Sequence, residues 1–226
     1  MIEYQQLKED LLQRLAKLIE VHGFVMRART QSFDKRTPFG KLALLLAFIP
    51  HRADFDIAAS VAIRFNELED LINEGNDLLS KPEKRQTFSL GADLGNISDG
   101  KQKRWTVSNP ADVEAVAESI MDFFVAIGIP YLEKYSDMEI ALEAFSGEDT
   151  AARLHEPFHD SRAKRAIGLA FLLGHRERFS KLAASKTEFL TSRNDFGLQS
   201  FLQLRDSLER RLEAASLHQI SGPSIS

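Results

Sequence analysis

The sequence predicts an α+β fold, an antiparallel β-meander packed against helices with a helical C-terminal extension, and three observations carry that prediction. Residues 55–65 put Phe55, Ile57, Val61, Ile63 and Phe65 on one side of an extended chain and Asp56, Ser60 and Arg64 on the other, the clearest period-two pattern in the protein. Two stretches repeat apolar residues at helical spacing instead: Leu7, Leu11, Leu12, Leu15, Leu18 and Ile19, and later Val113, Val116, Ile120, Phe123, Phe124 and Ile127. From Ser108 onward the period stays helical, so the strands belong to the first half of the chain.

Residues 3–22 form the first expected helix, with Gly23 as its left-handed stop. Phe24 to Thr30 alternates apolar residues with Arg27 and Arg29 and reads as a strand. The Ser32 to Pro38 stretch supplies turn chemistry, and Phe39 to Ile49 reads as a strand apolar on both faces. With the strand from Phe55 this makes a meander of sequential hairpins. Asn66, a good cap, opens a short helix whose early acids suit the helix dipole and which Gly75 ends. Residues 86–91 and 103–107 read as strands around a glycine-rich loop. Pro110 suits a first helical position, Gly128 and Pro130 break or kink the helix that follows, Ser136 and Asp137 can cap another, and segments near 161–174, 176–192 and 197–215 read as three more helices.

Charged residues make up 27% and hydrophobic residues 43%, ordinary for a chain that buries a core without staples. At 226 residues the expectation is an α+β domain over 1–150, a helical extension over 151–215 packed on it, and a flexible polar tail over 216–226. There is no cysteine, which removes disulfides, thiolate ligands and thiol nucleophiles together and fits a reducing compartment. The apolar run from Leu42 to Pro50 is too short to span a bilayer, and the amino terminus mixes acids and bases unlike a signal peptide, so a cytoplasmic location without membrane attachment is expected. A net charge of -4 argues against generic nucleic-acid binding.

Motifs that resemble chemistry mostly fail on physical grounds. His155-Glu156-Pro157-Phe158-His159 has the spacing of a zinc-hydrolase helix, yet Pro157 would sit inside that helix at a cost of ~3 kcal/mol, so a loop with two surface histidines is expected. Gly95 to Lys101 matches most of a phosphate-binding loop, but Gln102 stands where a serine or threonine belongs and a strand follows, so a plain hairpin loop is expected. Glu67, Asp70 and Glu74 share a helical face that reads as solvated. Lys101, Lys103 and Arg104 beside Trp105 read as a basic hairpin with a buried indole. No G-x-S-x-G elbow occurs and the other histidines are scattered, so no catalytic, cofactor-binding or metal-binding residue is assigned and no cofactor is expected.

Charge placement offers two binding candidates. Residues 110–150 carry ten carboxylates against the single base Lys134, and the stretch after them reverses sign. The two are either complementary packed helices or, through Glu114, Glu118 and Asp122, a docking surface for a basic protein partner. Alternatively Arg27, Arg29 and Arg64 clamp an anion in a cleft between sheet and helices, which would suit a small-molecule-binding protein or an enzyme. The small residues Ala58, Ser60 and Ala62 opposite the Phe55 stripe, with Ala43 and Ala47 on the neighbouring strand, are either covered by a helix or open as a shallow groove. The helix ending in His22-Gly23-Phe24, the Arg27/Arg29 strand, the hairpin through Ile57 to Phe65 and the helix leading into Ile129-Pro130-Tyr131-Leu132-Glu133-Lys134-Tyr135-Ser136-Asp137 resemble a family of uncharacterised bacterial proteins, a domain of unknown function sometimes found near toxin and immunity genes, over about residues 5–146. That resemblance implies no activity and no functional residue. The reading of the residues is a non-catalytic binding protein, immunity-like or regulatory, acting through protein contacts; its oligomeric state is not legible.

Overall fold

The computed structural model describes residues 4–27 and 29–220 and has the α+β architecture. In chain order the elements are α1 (Tyr4–Ile19, continued by a 3₁₀ turn Glu20–His22), β1 (Val25–Arg27), β2 (Ser32–Thr37), β3 (Gly40–Pro50), β4 (Phe55–Phe65), α2 (Asn66–Asn73), α3 (Lys81–Lys84), β5 (Leu90–Asp93), α4 (Leu94–Asp99), β6 (Trp105–Val107), α5 (Asp112–Phe123), a π-helical turn (Phe124–Gly128), α6 (Ile129–Tyr135), α7 (Met138–Ser146), α8 (Thr150–His155), α9 (His159–Leu172), α10 (Arg176–Ser192) and α11 (Leu198–Ile220). They form two compact units, the first made of 1–66 and 87–137 and the second of 67–86 and 138–226. Helix α11 takes in residues 216–220 of the expected tail, and 221–226 lie outside the described residues.

In the first unit, β1, β2, β3 and β4 form the antiparallel meander, and β5 and β6 pair end to end along the far edge of β4. Gly23 does stop the first helix, at φ +79°. Of the Ser32 to Pro38 stretch only Pro38 lies in a turn. Residues 32–37 are β2, paired over all six residues with β3, while the reversal before it is made by a bond from the Thr30 amide to the Arg27 carbonyl and by Gln31 at φ +50°. Cross-strand pairing outweighs the turn preference of Ser32 and Asp34, and the Ser32 hydroxyl donates to Asp34 (3.0 Å) within the strand.

The Gly95 to Lys101 segment is likewise no plain hairpin loop. It is α4, capped by the Asp93 carboxylate, which accepts from the Gly95 and Asn96 amides, and closed by Gly100 at φ +75°. Pro110 lies in the turn before α5, where Asp112 accepts from the Ser108 amide at 2.8 Å and the Asn109 amide at 3.0 Å. Gly128 and Pro130 do not break the helix. The chain is helical from Asp112 to Tyr135, long and apolar enough by composition to cross a membrane; its residues Ala117, Ile120, Met121, Phe124, Tyr131 and Leu132 are buried as core.

Helices α1, α5 and α6 meet the sheet on the Phe55 and Val61 side. Tyr4 sets its ring edge-on to Phe55 at 4.9 Å, Phe24 does the same to Phe124 at 5.2 Å, and a side chain at Gly128 would strike Val61. The expected indole is buried, with Trp105 Nε1 donating to Ser119 at 3.0 Å.

The second unit buries Phe145, Ala163, Ile167, Phe179, Leu190, Phe201 and Leu208 from its helices. Pro157 does separate two helices, α8 ending at His155 and α9 starting at His159. The histidines are not surface groups, however: His155 is buried and His159 half-buried. Acids on α7 pair with groups at the start of α10, Glu139 with the capping residue His175 at 2.6 Å and Glu143 with Arg178 at 2.7 Å. Glu67 and Asp70 on α2 and Glu74 in the turn after it are exposed, whereas Glu69 turns inward to Arg165 at 3.3 Å.

A candidate anion-binding row on the sheet

Strand register decides which side chains meet. On β4 the residues facing away from the Phe55 stripe are Asp56, Ala58, Ser60, Ala62 and Arg64, and each lies opposite one residue of β3. Arg64 pairs with Lys41, and Lys41 on its other side pairs with Arg36. Three cations from three adjacent strands therefore stand in one row, ~4.8 Å from strand to strand. In the next row the Asp34 carboxylate stands beside three small residues, Ala43, Ala62 and Gly91. At Gly91 a side chain would press within 2.6 Å of the Val61 carbonyl oxygen, so that end of the floor has to be bare backbone.

Each member of the row is held differently. Arg64 is 4% exposed, and its guanidinium donates to Asn66 Oδ1 (3.1 Å), to the Thr87 carbonyl (2.9 Å) and to the Thr87 hydroxyl (2.7 Å). Lys41 lies over the Phe88 ring at 4.5 Å and 3.7 Å from Asp34, its side chain 21% exposed. Arg36 is exposed. Arg27 stands beyond the row on β1, 3.9 Å from the same Asp34 carboxylate. Burial pushes the Lys41 ammonium below the usual lysine range; Asp34 opposes this, and the Arg64 and Arg27 charges add to it. Lys41 and Arg27 thus share one carboxylate.

Like charges directly across a sheet are destabilising, so the row is a cost that folding alone does not require. Of the arginines expected to clamp an anion, the sheet brings Arg27 and Arg64 to one face. Arg29 lies in the turn after β1, exposed. Arg36 and Lys41 went unread, although their signal is present: between Phe24 and Pro50 the sequence has Arg27, Arg29, Lys35, Arg36 and Lys41 against Asp34 alone, in a chain of net charge -4. The small face is neither wholly covered nor wholly open, with Ala43, Ala58 and Ala62 buried, Leu45 and Ser60 half-buried, and Ala47 exposed.

The other clusters are already matched. Arg14 on α1 reaches Glu114, and Glu118 at 3.7 Å, so two of the three acids offered to a basic partner have a cation within the unit; Asp122 is exposed. A shallow depression of about 540 Å³ at His175, Arg176, Glu177, Arg178 and Lys181 is lined by groups in pairs, among them Lys181 with Glu177 at 2.6 Å. The histidine-glutamate motif is built into an ionic cluster: Glu156 accepts from Arg165 (2.9 Å), and His159 Nδ1 is 2.8 Å from an Arg162 nitrogen. No family model, no curated protein and no solved structure matches the chain.

Proposed function

We propose that the chain is a non-catalytic binding protein, immunity-like or regulatory, that works in the cytoplasm through contacts with a protein partner and grips an anionic group of that partner on the Arg36, Lys41 and Arg64 row. The observation that carries this reading is the run of bases on β2 and β3 of an acidic chain, Lys35, Arg36 and Lys41, at a position where the pairing register places like charges side by side. The titratable groups that would have suggested catalysis are spent on helix caps and internal ion pairs. Docking of a basic partner on Glu114, Glu118 and Asp122 has less support, because Arg14 already stands among those acids.

Amide chemical shifts of the full chain, followed during titration with a glutamate-rich decapeptide and with an arginine-rich one, test the reading. The acidic peptide is expected to move resonances of β2, β3 and β4, and Lys41→Glu to abolish the effect. Shifts confined to α5 and produced by the basic peptide alone would replace it with the acidic surface.

A further inference from the structure

Apart from any ligand of the sheet row, we infer that two copies of the chain meet through a phenylalanine patch of the second unit, with α10 of one copy lying antiparallel to α10 of the other. Phe158, in the link between α8 and α9, is 60% exposed, and Phe196, in the turn between α10 and α11, is 86% exposed. Their neighbours bring them together. His159, next to Phe158, sets its ring edge-on to Phe189 of α10 at 5.1 Å, and a side chain at Gly197, next to Phe196, would come within 2.2 Å of Asp160 Cβ. Three phenylalanines, from two links and a helix, therefore stand around His159 and Asp160. Large apolar side chains exposed singly are ordinary, whereas a group of them marks an association surface.

Both exposed rings are presented from fixed backbone. The Phe158 amide donates to Glu156 at 3.1 Å and the Phe158 carbonyl accepts from the Arg162 amide at 3.0 Å, while the Gly197 amide donates to Asp195 at 2.8 Å. Order already present in the separate chains lowers the cost of bringing them together.

Charge decides the occupant. By helical spacing Glu188 and Arg193 flank Phe189 on its two sides, and the Arg193 guanidinium lies over the Phe189 ring at 5.3 Å. Both are exposed, and among the described residues neither has an ion-pair partner. Near the rings Arg153 and Arg193 stand against Glu188 and Asp195, so the surface selects neither a strongly acidic nor a strongly basic partner. It suits its own copy, because a two-fold interface sets one surface against itself. With an axis passing beside Leu190 and Thr191, an antiparallel pair of α10 helices puts Glu188 of each copy opposite Arg193 of the other. The same register brings Phe196 toward Ala184 and Ser185 of the second copy, small exposed residues that leave room for its ring.

The test is analytical ultracentrifugation of the full chain over concentrations up to about 0.5 mM, with a dimer of micromolar dissociation constant expected. Phe158→Ser and Phe196→Ser are each expected to weaken the dimer about tenfold or more, with the thermal midpoint of the dilute chain unchanged because both rings are exposed. Arg193→Glu is expected to weaken it about tenfold as well, and adding Glu188→Arg to that variant to restore it. A chain monomeric throughout, a dimer indifferent to both serine variants, or a charge-swapped double variant no tighter than Arg193→Glu alone overturns the inference. So does a monomeric chain that binds phosphatidylglycerol vesicles and loses that binding in Phe196→Ser, an outcome that puts a lipid surface on the patch instead.

Discussion

Two groups of charged side chains, one on the sheet of the first unit and one among the helices of the second, are built on opposite balances. In the second unit Glu148, Glu156 and Glu69 face Arg162, Lys186 and Arg165, three against three. Lys186 is 2% exposed, and its ammonium donates to the Phe145, Ser146 and Gly147 carbonyls as well as to Glu148, closing the C-terminal end of α7. Arg162 is fully buried and donates to Glu148 and to the Glu156 carbonyl. On the sheet, Lys41 and Arg27 share Asp34, and Arg27 and Arg36 are exposed. Buried charge survives only when paired and hydrogen-bonded. A balanced, enclosed cluster is therefore scaffold, whereas an unbalanced, half-open one keeps electrostatic potential available to something outside.

The comparison is broken most forcefully at Glu148. Replacing it with leucine leaves Arg162 and Lys186 buried without their shared carboxylate, and the expected loss is about 3–5 kcal/mol, the range for removing one partner of a buried pair. Denaturant unfolding of the full chain measures it. A loss under about 1 kcal/mol would mean that water reaches both cations and that the cluster is not scaffold.

A pH titration sharpens the same point with the wild-type chain. Burial tends to raise the Glu148 carboxyl, but hydrogen bonds and charge from Lys186 and Arg162 outweigh it and hold the group below the usual glutamate range. A carboxyl depressed in the folded state contributes stability that is present above its unfolded value of about 4.3 and is lost as pH falls through the folded value. Stability should therefore decline on acidification below about pH 4.3, and the decline should be shallower in Glu148→Gln. Equal slopes for the two proteins would remove Glu148 from the account.

The sequence was most informative where one local rule sufficed. The alternation over Phe55 to Phe65 coincides with β4, and Gly23 and Pro157 interrupt helices because φ and a missing donor are properties of single residues. It misled where partners decide. Ser32 to Thr37 has turn-forming residues yet is a strand because β3 supplies six partners. The face of β4 that reads as polar and outward is buried at Arg64, because Asn66 and Thr87 satisfy the guanidinium. The candidate site follows the same division. Arg27 and Arg64 are visible as charges in an alternating pattern, but the Arg36, Lys41 and Arg64 row exists only through register, which shifts a whole side-chain set with a slip of one residue.

Smaller effects are expected on the sheet, and of opposite sign. Arg36→Gln removes one of three like charges standing side by side, so stability should stay level or rise by about 0.2–1 kcal/mol while acidic-peptide binding is lost. Thermal unfolding and the peptide titration together read this. A clear destabilisation by Arg36→Gln would show that the arginine stabilises the sheet through its stem, and the row would then lose its standing as a cost kept for binding.

The smallest effect separates the two surfaces offered to a partner. Arg14 and its acids are substantially exposed, 32% for the Arg14 side chain and 57% for Glu114 and Glu118, and exposed pairs contribute about 0.2–1 kcal/mol. Arg14→Ala should therefore cost less than about 1 kcal/mol in denaturant unfolding. The substitution also unmasks Glu114 and Glu118 beside Asp122, a set of acids one turn apart along α5. If that surface receives a basic partner, Arg14→Ala tightens capture of the arginine-rich peptide, because it removes a competing cation. If the binding group is the sheet row, capture of the acidic peptide is unchanged by Arg14→Ala and the arginine-rich peptide binds neither protein. One variant of nearly neutral stability thus separates a masked acidic surface from an unmasked basic one.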